Sequence, residues 1–234
     1  ESAMAAHRDW LTLGQVAFST GTNGNSDIPN YEHLALIGGG ADYVGDSGVA
    51  PVQPGNENLT WENTWISNLA FHLGFWSRIN ADLEFYYKRT TDMLMRVPLS
   101  YALSNGYGYM WDNVGVMENK GFDLNVNAVL VQTRDFQWSV NANAGYTHNR
   151  IAELYGGVDE YEMANTNTKL QVGRAYGEFY INRYAGVNPA NGDALWYDKD
   201  GNLTTELRDE DKVLVGKSFN APWQGGFGTA LSWR

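Results

Sequence analysis

The chain has 234 residues, no cysteine, 27 acidic against 16 basic residues, and a formal net charge of −11. The lack of cysteine excludes disulfides and cysteine-based zinc sites, and the acidic balance argues against nucleic-acid binding. A hydrophobic content of 43% with 18% charged residues excludes a disordered chain, and no apolar run reaches the about 18 residues of a transmembrane helix.

The first predicted strand covers residues 9–20, DWLTLGQVAFST. Apolar residues fall on both of its sides, so the pattern does not indicate which side would meet lipid. Leu11, Leu13 and Ala17 occupy one side, and Trp10, Val16 and Phe18 the other. Residues 21–59 follow as an irregular segment rich in Gly, Asn, Asp and Pro, which predicts a long loop that is functional or mobile.

The clearest pattern lies in residues 61–91, where two long strands are joined by a very short turn at residues 76–78. Side chains alternate between the faces of a strand, and one face of each strand is apolar. That face carries Trp65, Ser67, Leu69, Phe71, Leu73 and Phe75, then Ile79, Ala81, Leu83, Phe85 and Tyr87. Strands of about 11 residues can cross a bilayer at a tilt. The pattern therefore predicts a hairpin from the wall of an antiparallel, all-β transmembrane barrel.

A second long segment, residues 92–118, precedes a second hairpin with a short turn at residues 132–135. Its apolar face carries Phe122, Leu124, Val126, Ala128 and Leu130, then Phe136, Trp138, Val140, Ala142, Ala144 and Tyr146. The opposite face is rich in asparagine, whereas a soluble sheet would more often carry Lys and Glu. Amides and small residues favour the crowded aqueous lumen of a barrel.

Residues 148–222 form the longest interval between clear wall strands. They include strand-like pieces at residues 175–187 and 194–197, and a last alternating strand begins at residue 225.

The lengths of the connections predict a topology. Outer-membrane barrels have short periplasmic turns and long extracellular loops. If the turns near Ser77 and Thr133 are periplasmic, the long interval crosses the wall an even number of times, and zero is the simplest number. Six wall strands result, fewer than the about eight of the smallest barrels, so the chain is expected to be a fragment of a larger barrel.

Several stretches, in order, resemble segments of the C-terminal barrel half of SusC/RagA-type TonB-dependent outer-membrane transporters of Bacteroidetes. They are GNENLTWE (55–62), FYYKRTTDML (85–94), NVGVMENKG (113–121), YAGVNPANGD (184–193), VGKS (215–218) and WQGGF (223–227). NVGVMENKG is the most specific of them, and the ordered set covers most of residues 9–234.

The resemblance implies part of a large plugged barrel of about 22 strands in the outer membrane. It implies TonB-dependent uptake of an oligosaccharide, or of a peptide as the second choice, with a SusD-type lipoprotein as a surface lid. Residues 1–234 are then expected to belong to the C-terminal barrel domain, without the signal peptide, the plug domain and the last strands. TonB would act through that missing N-terminal region, and lipid would surround the wall.

Catalysis is not expected. The four histidines (His7, His33, His72 and His148) are not at metal-ligand spacing, and no G-x-S-x-G or H-E-x-x-H motif occurs. His72 is expected as a hydrogen-bonded histidine on the lumen face.

The second long segment is the candidate ligand site. Its aromatic rings could stack on sugar faces while nearby polar groups hold hydroxyls, or the same residues could pack the loop onto the barrel. The candidate residues are Tyr101, Asn105, Tyr107, Tyr109, Trp111 and Asp112.

A calcium site is the one cofactor that the sequence suggests. Asp198, Asp200, Asn202 and Asp209 are spaced like part of an EF-hand loop, but Leu203 stands where that loop requires glycine. The alternative is a plain Asp-Gly turn.

Two other classes compete with the importer, namely a soluble β-rich carbohydrate-binding module such as a lectin-like sandwich, and a passive porin. Tryptophans near the strand ends favour a membrane protein, because indole rings collect at lipid–water interfaces. They are Trp10, Trp65, Trp76, Trp138 and Trp233.

Overall fold

The computed structural model describes residues 10–39, 42, 44–99, 109–163 and 166–234. These residues form β-strands joined by turns and two short 3₁₀ segments, Tyr155–Gly157 and Asp209–Asp211. The strands are β1 Leu11–Asn25, β2 Leu36–Gly39, β3 Val49–Gln53, β4 Glu62–Phe75, β5 Ile79–Thr91, β6 Leu94–Pro98, β7 Tyr109–Asn113, β8 Val116–Gln132, β9 Phe136–Glu153, β10 Glu160–Glu162, β11 Thr168–Gln171, β12 Glu178–Ile181, β13 Arg183–Val187, β14 Ala194–Tyr197, β15 Leu203–Thr204, β16 Val213–Ser218 and β17 Trp223–Trp233. In this part of the chain no helix is long and apolar enough to span a membrane.

The long strands form one six-stranded sheet in the order β1-β4-β5-β8-β9-β17. Every neighbouring pair is antiparallel. The six predicted wall strands and the all-β antiparallel class are confirmed.

One face of this sheet is apolar along continuous rows that run across the strands. The row at the level of Leu69 passes through Phe85 and Phe122, and then through Tyr146 to Trp223. Neighbouring rings in the row have centroids between 4.7 and 6.3 Å apart. Such cross-strand aromatic pairs stabilise a sheet beyond the area they bury.

The register also settles the orientation of β1. Val16 lies opposite Phe71 and Phe18 lies opposite Leu69, so Val16 and Phe18 belong to the apolar face. An irregularity in the pairing between Leu11 and Leu13 interrupts the alternation. This β-bulge explains why the sequence of β1 shows no clear two-sided pattern.

The turn between β4 and β5 is as short as predicted. Trp76 and Ser77 both have positive φ, at 49° and 54°, and the Arg78 N–H donates to the Phe75 carbonyl at 3.0 Å. Two consecutive residues with positive φ characterise the type I′ turn, whose twist matches that of the flanking strands. Residues 133–135 likewise connect β8 directly to β9.

The interval between β9 and β17 builds two further sheets, β10-β11-β12-β16 and β13-β14-β15. Among the described residues none of these strands joins the six-stranded sheet, which confirms the expected absence of wall crossings there. The predicted piece at residues 175–187 is two strands, β12 and β13. Ile151 and Leu154, at and just beyond the end of β9, form a small buried core with Leu170.

Candidate functional site

All long connections leave the six-stranded sheet at one end and both short turns lie at the other. Asn25 pairs with Glu62, Asn63 with Thr91, and Val116 with Glu153. The candidate functional residues therefore gather at the loop-bearing end and on the polar face below it.

The polar face carries rows of amides and carboxylates. Asn80, Asn127 and Asn141 lie side by side on β5, β8 and β9, and the next row contains Asp82, Asn125 and Asn143. His72 lies on this face as predicted, with its Nδ1 2.6 Å from Oδ1 of Asp82. Such a face can hydrogen-bond water or a polar solute.

Tyr86 crosses this face toward β9 and donates to, or accepts from, Oγ1 of Thr147 at 2.5 Å. Its ring lies over Gly121, where an added Cβ would stand 2.7 Å from the Tyr86 Oη. Gly121 closes the NVGVMENKG motif. A glycine is needed there because an added Cβ would clash first with the backbone carbonyl oxygen of Tyr146 and then with the Tyr86 ring.

The hairpin of β6 and β7 brings two of the predicted ligand-binding aromatics together. The Arg96 guanidinium on β6 lies 4.7 Å from the Tyr109 ring centroid and 5.2 Å from that of Trp111 on β7. Tyr109 is exposed, whereas the Trp111 Nε1 is buried without a hydrogen-bond partner. The hairpin thus presents a cation and a phenol ring on one surface. Tyr101, Asn105 and Tyr107 lie outside the described residues.

Asp112 connects the β6–β7 hairpin to a neighbouring segment of the chain. Its Oδ1 accepts hydrogen bonds from Asn56 Nδ2 at 3.0 Å and from the Asn113 backbone N–H at 2.9 Å. Asn56 also donates to the Trp111 carbonyl at 3.0 Å. These bonds pack the β6–β7 hairpin onto the segment before β4, which was the alternative interpretation of this residue.

Asn113 ties three segments together. Its Oδ1 accepts from the Thr60 backbone N–H at 2.6 Å, and its Nδ2 donates to the carbonyls of Thr60 and Asp92 at 2.8 and 2.9 Å. Glu62 adds a second connection, accepting from Asn25 Nδ2 at 2.8 Å and from the Leu94 backbone N–H at 3.4 Å. Sequence reasoning assigned no role to these residues, although they belong to the motifs that carried the family resemblance.

The region predicted to bind calcium forms a turn between β14 and β15. The Asp198 carboxylate accepts from the backbone N–H groups of Asp200 and Asn202 at 3.0 and 2.8 Å, and Gly201 has a φ of 90°. The hydrogen bond from the Asn202 backbone N–H is the main reason that the pKa of Asp198 lies below its ordinary value. Asp209 instead pairs with Lys212 at 2.9 Å.

The described residues contain no group of three or more carboxylates or histidines that could hold a metal ion, and this includes Asp198, Asp200 and Asp209. Asn202 donates its side-chain N–H to Asp198 at 3.1 Å. Both Asp198 carboxylate oxygens are therefore engaged within the turn, as the alternative of a plain Asp-Gly turn expects, and the calcium site stays a prediction.

Glu178 and Asp211 are buried carboxylates in the interval between β9 and β17. Glu178 is 3% exposed and accepts from the Gly216 backbone N–H at 2.7 Å, with Arg174 3.5 Å away. A buried carboxylate with these partners stabilises the packing of β12 on β16.

Comparison with known proteins gives a consistent result. The family model described as TonB dependent receptor-like, beta-barrel matches residues 5–233. The chain is 34% identical over 170 residues to the TonB-dependent receptor SusC of Bacteroides thetaiotaomicron, covering 66% of this chain and 17% of that protein. It is 30% identical over 218 residues to the TonB-dependent receptor P39 of Formosa agariphila, covering 93% of this chain and 20% of that protein.

Solved structures agree. The structure of the RagAB peptide transporter matches with a TM-score of 0.84 and 32% identity, covering 97% of this chain and 26% of that chain. The RagAB peptide importer in its 'open-open' state matches with a TM-score of 0.85 over 97% of this chain and 25% of that chain. The chain spans about a fifth of the length of the curated relatives it matches.

Proposed function

Because the chain belongs to the SusC/RagA-type TonB-dependent receptors and forms part of their antiparallel β-barrel, we propose that it contributes to a nutrient importer of the outer membrane. In this proposal the six-stranded sheet is part of the C-terminal wall, its asparagine-rich face lines the lumen, and the long connections are extracellular. The uptake is driven through TonB, and a SusD-type lipoprotein covers the extracellular side. The family consists of receptors and transporters, and no catalytic role is proposed.

The observation that carries this proposal is the contrast between the two faces of the sheet. Large apolar residues on one face are widely exposed, including Phe18 at 69%, Phe85 at 44% and Phe227 at 75%. A soluble sandwich would cover such a face with a second sheet, but a bilayer needs a continuous apolar band. The opposite face carries the amides that a water-filled interior accommodates.

A charge placed on either face of β8 tests the membrane assignment. Val126 lies in the middle of the apolar run on β8, and Asn127 is its neighbour on the polar face. In the full-length transporter, Val126→Arg should destabilise the barrel folded in lipid by about 2–4 kcal/mol, while Asn127→Arg should change its stability little. The measurement is the folded fraction in phospholipid vesicles across a urea series. Equal tolerance of arginine at both positions would contradict a lipid-facing wall.

The ligand class has two candidates. Exposed aromatic and hydrogen-bonding side chains at the loop-bearing end support an oligosaccharide, whereas the 32% identity to a peptide transporter supports a peptide. Uptake of labelled oligosaccharides and labelled peptide mixtures by cells that express the full-length transporter separates the two. Dissipating the proton gradient should abolish uptake of the true ligand, whereas a passive porin would continue to admit it.

A further inference from the structure

A cleft of about 500 Å³ lies where β1 ends and β4 begins, on the loop-bearing side of the sheet. One wall is the turn after β1, with Ile28, Tyr31, Glu32 and His33, and the other is the segment that leads into β4, with Trp61. Its volume falls within the range of small-ligand sites, roughly 300–1,000 Å³. One residue that lines the cleft, Thr60, has a contact described above, because its backbone hydrogen-bonds to Asn113 of the NVGVMENKG motif.

Trp61 has one side packed on the protein and most of its surface exposed. A Cβ added at Gly24 of β1 would lie 2.7 Å from Cε3 of the indole, so the ring rests on a strand position that has no side chain. The residue is nevertheless 67% exposed. The indole therefore offers an open aromatic surface to the cleft.

The backbone around Trp61 is held in place on both sides. The Thr60 backbone N–H and carbonyl both bond to the Asn113 amide, at 2.6 and 2.8 Å. On the other side, Glu62 accepts a hydrogen bond from Asn25 at 2.8 Å. A ring fixed before the ligand arrives loses little conformational entropy on binding.

The opposite wall is a tight turn with polar side chains. Tyr31 has a φ of 70° and is 65% exposed, and its carbonyl accepts from the Leu34 N–H at 2.9 Å. The His33 carbonyl accepts from the Asn56 N–H at 3.0 Å, which ties the turn to the segment before β4. A tyrosine with positive φ is uncommon and is often found at binding sites. The turn places Glu32 and His33 beside the cleft, across from the indole.

We propose that this cleft, named here the Trp61 cleft, binds one pyranose ring of a neutral oligosaccharide. A pyranose has a face of C–H groups, which matches the exposed indole, and a rim of hydroxyls, which can hydrogen-bond to Glu32 and His33. The Glu32 carboxylate in the wall of the cleft disfavours an anionic sugar. The proposal rests on the importer function above and names a contact site for its ligand.

The test uses the full-length transporter in detergent and titration calorimetry with four neutral hexasaccharides: maltohexaose, laminarihexaose, cellohexaose and mannohexaose. The unmodified protein should bind at least one of them. Trp61→Ala should weaken that binding by at least about fivefold, and Trp61→Phe should weaken it less, because aromatic stacking contributes about 1 kcal/mol or more. Trp76→Ala is the matched control, because Trp76 is an exposed tryptophan at the other end of the same hairpin.

Gly24→Val tests the same site in a second way. The valine side chain would displace the Trp61 indole from its position on β1 without removing the ring. The substitution should reduce affinity in the same direction as Trp61→Ala. Retention of the folded, heat-resistant band on gels shows that each variant still forms its barrel.

The outcomes separate this proposal from the proposed function. Unchanged affinity in both Trp61→Ala and Gly24→Val, with proton-gradient-dependent uptake retained, overturns the cleft and leaves the importer intact. Failure of all four hexasaccharides to bind overturns the pyranose assignment, and binding of a random peptide mixture in their place would identify the other ligand class. Uptake that survives loss of the proton gradient overturns the importer itself.

Discussion

Two glycines on long strands are each covered by an aromatic ring. The Tyr86 ring covers Gly121 on the polar face, and the Trp61 ring covers Gly24 near the loop-bearing end. An aromatic ring that covers a strand glycine compensates for the missing side chain and pins the register of the two strands. In the first case the ring also reaches Thr147 two strands away, so one tyrosine connects β5, β8 and β9.

Gly121→Val should therefore destabilise the barrel. The new side chain would meet the backbone carbonyl oxygen of Tyr146 and the Tyr86 ring at less than van der Waals distance, and overpacking of this kind costs about 1–3 kcal/mol. The measurement is the temperature at which the folded band of the full-length transporter is lost on gels. Gly226→Val is the matched control, because a Cβ there would meet its nearest neighbour, Asn143, at an ordinary 3.5 Å. Equal midpoints for the two variants would show that residue 121 tolerates a side chain and would contradict the requirement for glycine.

At the scale of the element, the sequence reveals the apolar centre of each wall strand better than its ends. The alternation on β8 is clear from Phe122 onward, but the strand begins at Val116. Apart from Met117, the residues between them are polar or glycine, so periodicity cannot distinguish them from a loop, and only pairing with β5 and β9 extends the strand. The orientation of β1 was hidden for a related reason, because a bulge shifts the alternation within one strand.

The turn between β14 and β15 is an element whose stability should depend on pH. Asp198 has a lowered pKa because its carboxylate accepts hydrogen bonds, first from the Asn202 backbone N–H. A lowered pKa in the folded state means that the stabilisation is complete above the ordinary value near 3.8 and is lost as pH falls through the lower, folded value. The amides of Asp200 and Asn202 should therefore lose protection from hydrogen exchange at strongly acidic pH.

The measurement is the protection factor of these amides between about pH 6 and about pH 2.5, corrected for the intrinsic exchange rate. In Asp198→Asn the side chain at residue 198 no longer titrates, so the pH-dependent part should disappear. Constant protection across the range in the unmodified protein would contradict the role assigned to this carboxylate.

At the scale of the whole molecule, the alternation of short and long connections was enough to predict six wall strands and an interval that does not cross. It could not predict that this interval holds its own sheets, because the strands are short and their partners are distant in sequence. Glu178 shows why, since its buried carboxylate is satisfied by Gly216, 38 residues away. The candidate site was predicted only in part for the same reason. In the sequence, Asp112 and Tyr109 are both polar residues of a predicted loop. Only the hydrogen bond from Asn56 to Asp112 shows that Asp112 packs the hairpin onto the neighbouring segment.

The separation between wall and interval leads to a last prediction. Ile181 at the end of β12 pairs directly with Val213 at the start of β16, and the sheet β13-β14-β15 between them pairs with no other described strand. Replacing residues 182–212 by Asn-Gly should close β12 and β16 with a type I′ turn, for which that dipeptide is favoured. Barrel insertion and the gel midpoint of the full-length transporter should then remain close to those of the unmodified protein.

Val126→Arg serves as the disruptive reference for the same two measurements, because it alters the wall itself. If the shortened protein inserted as poorly as Val126→Arg, the three-stranded sheet would have to support the wall, contrary to its separate hydrogen bonding. If it inserts normally but ligand uptake falls, then the three-stranded sheet serves a partner or a ligand. In that case the six-stranded wall would provide stability through its cross-strand rows of side chains. The three-stranded sheet in the long connection would provide recognition of a ligand or partner.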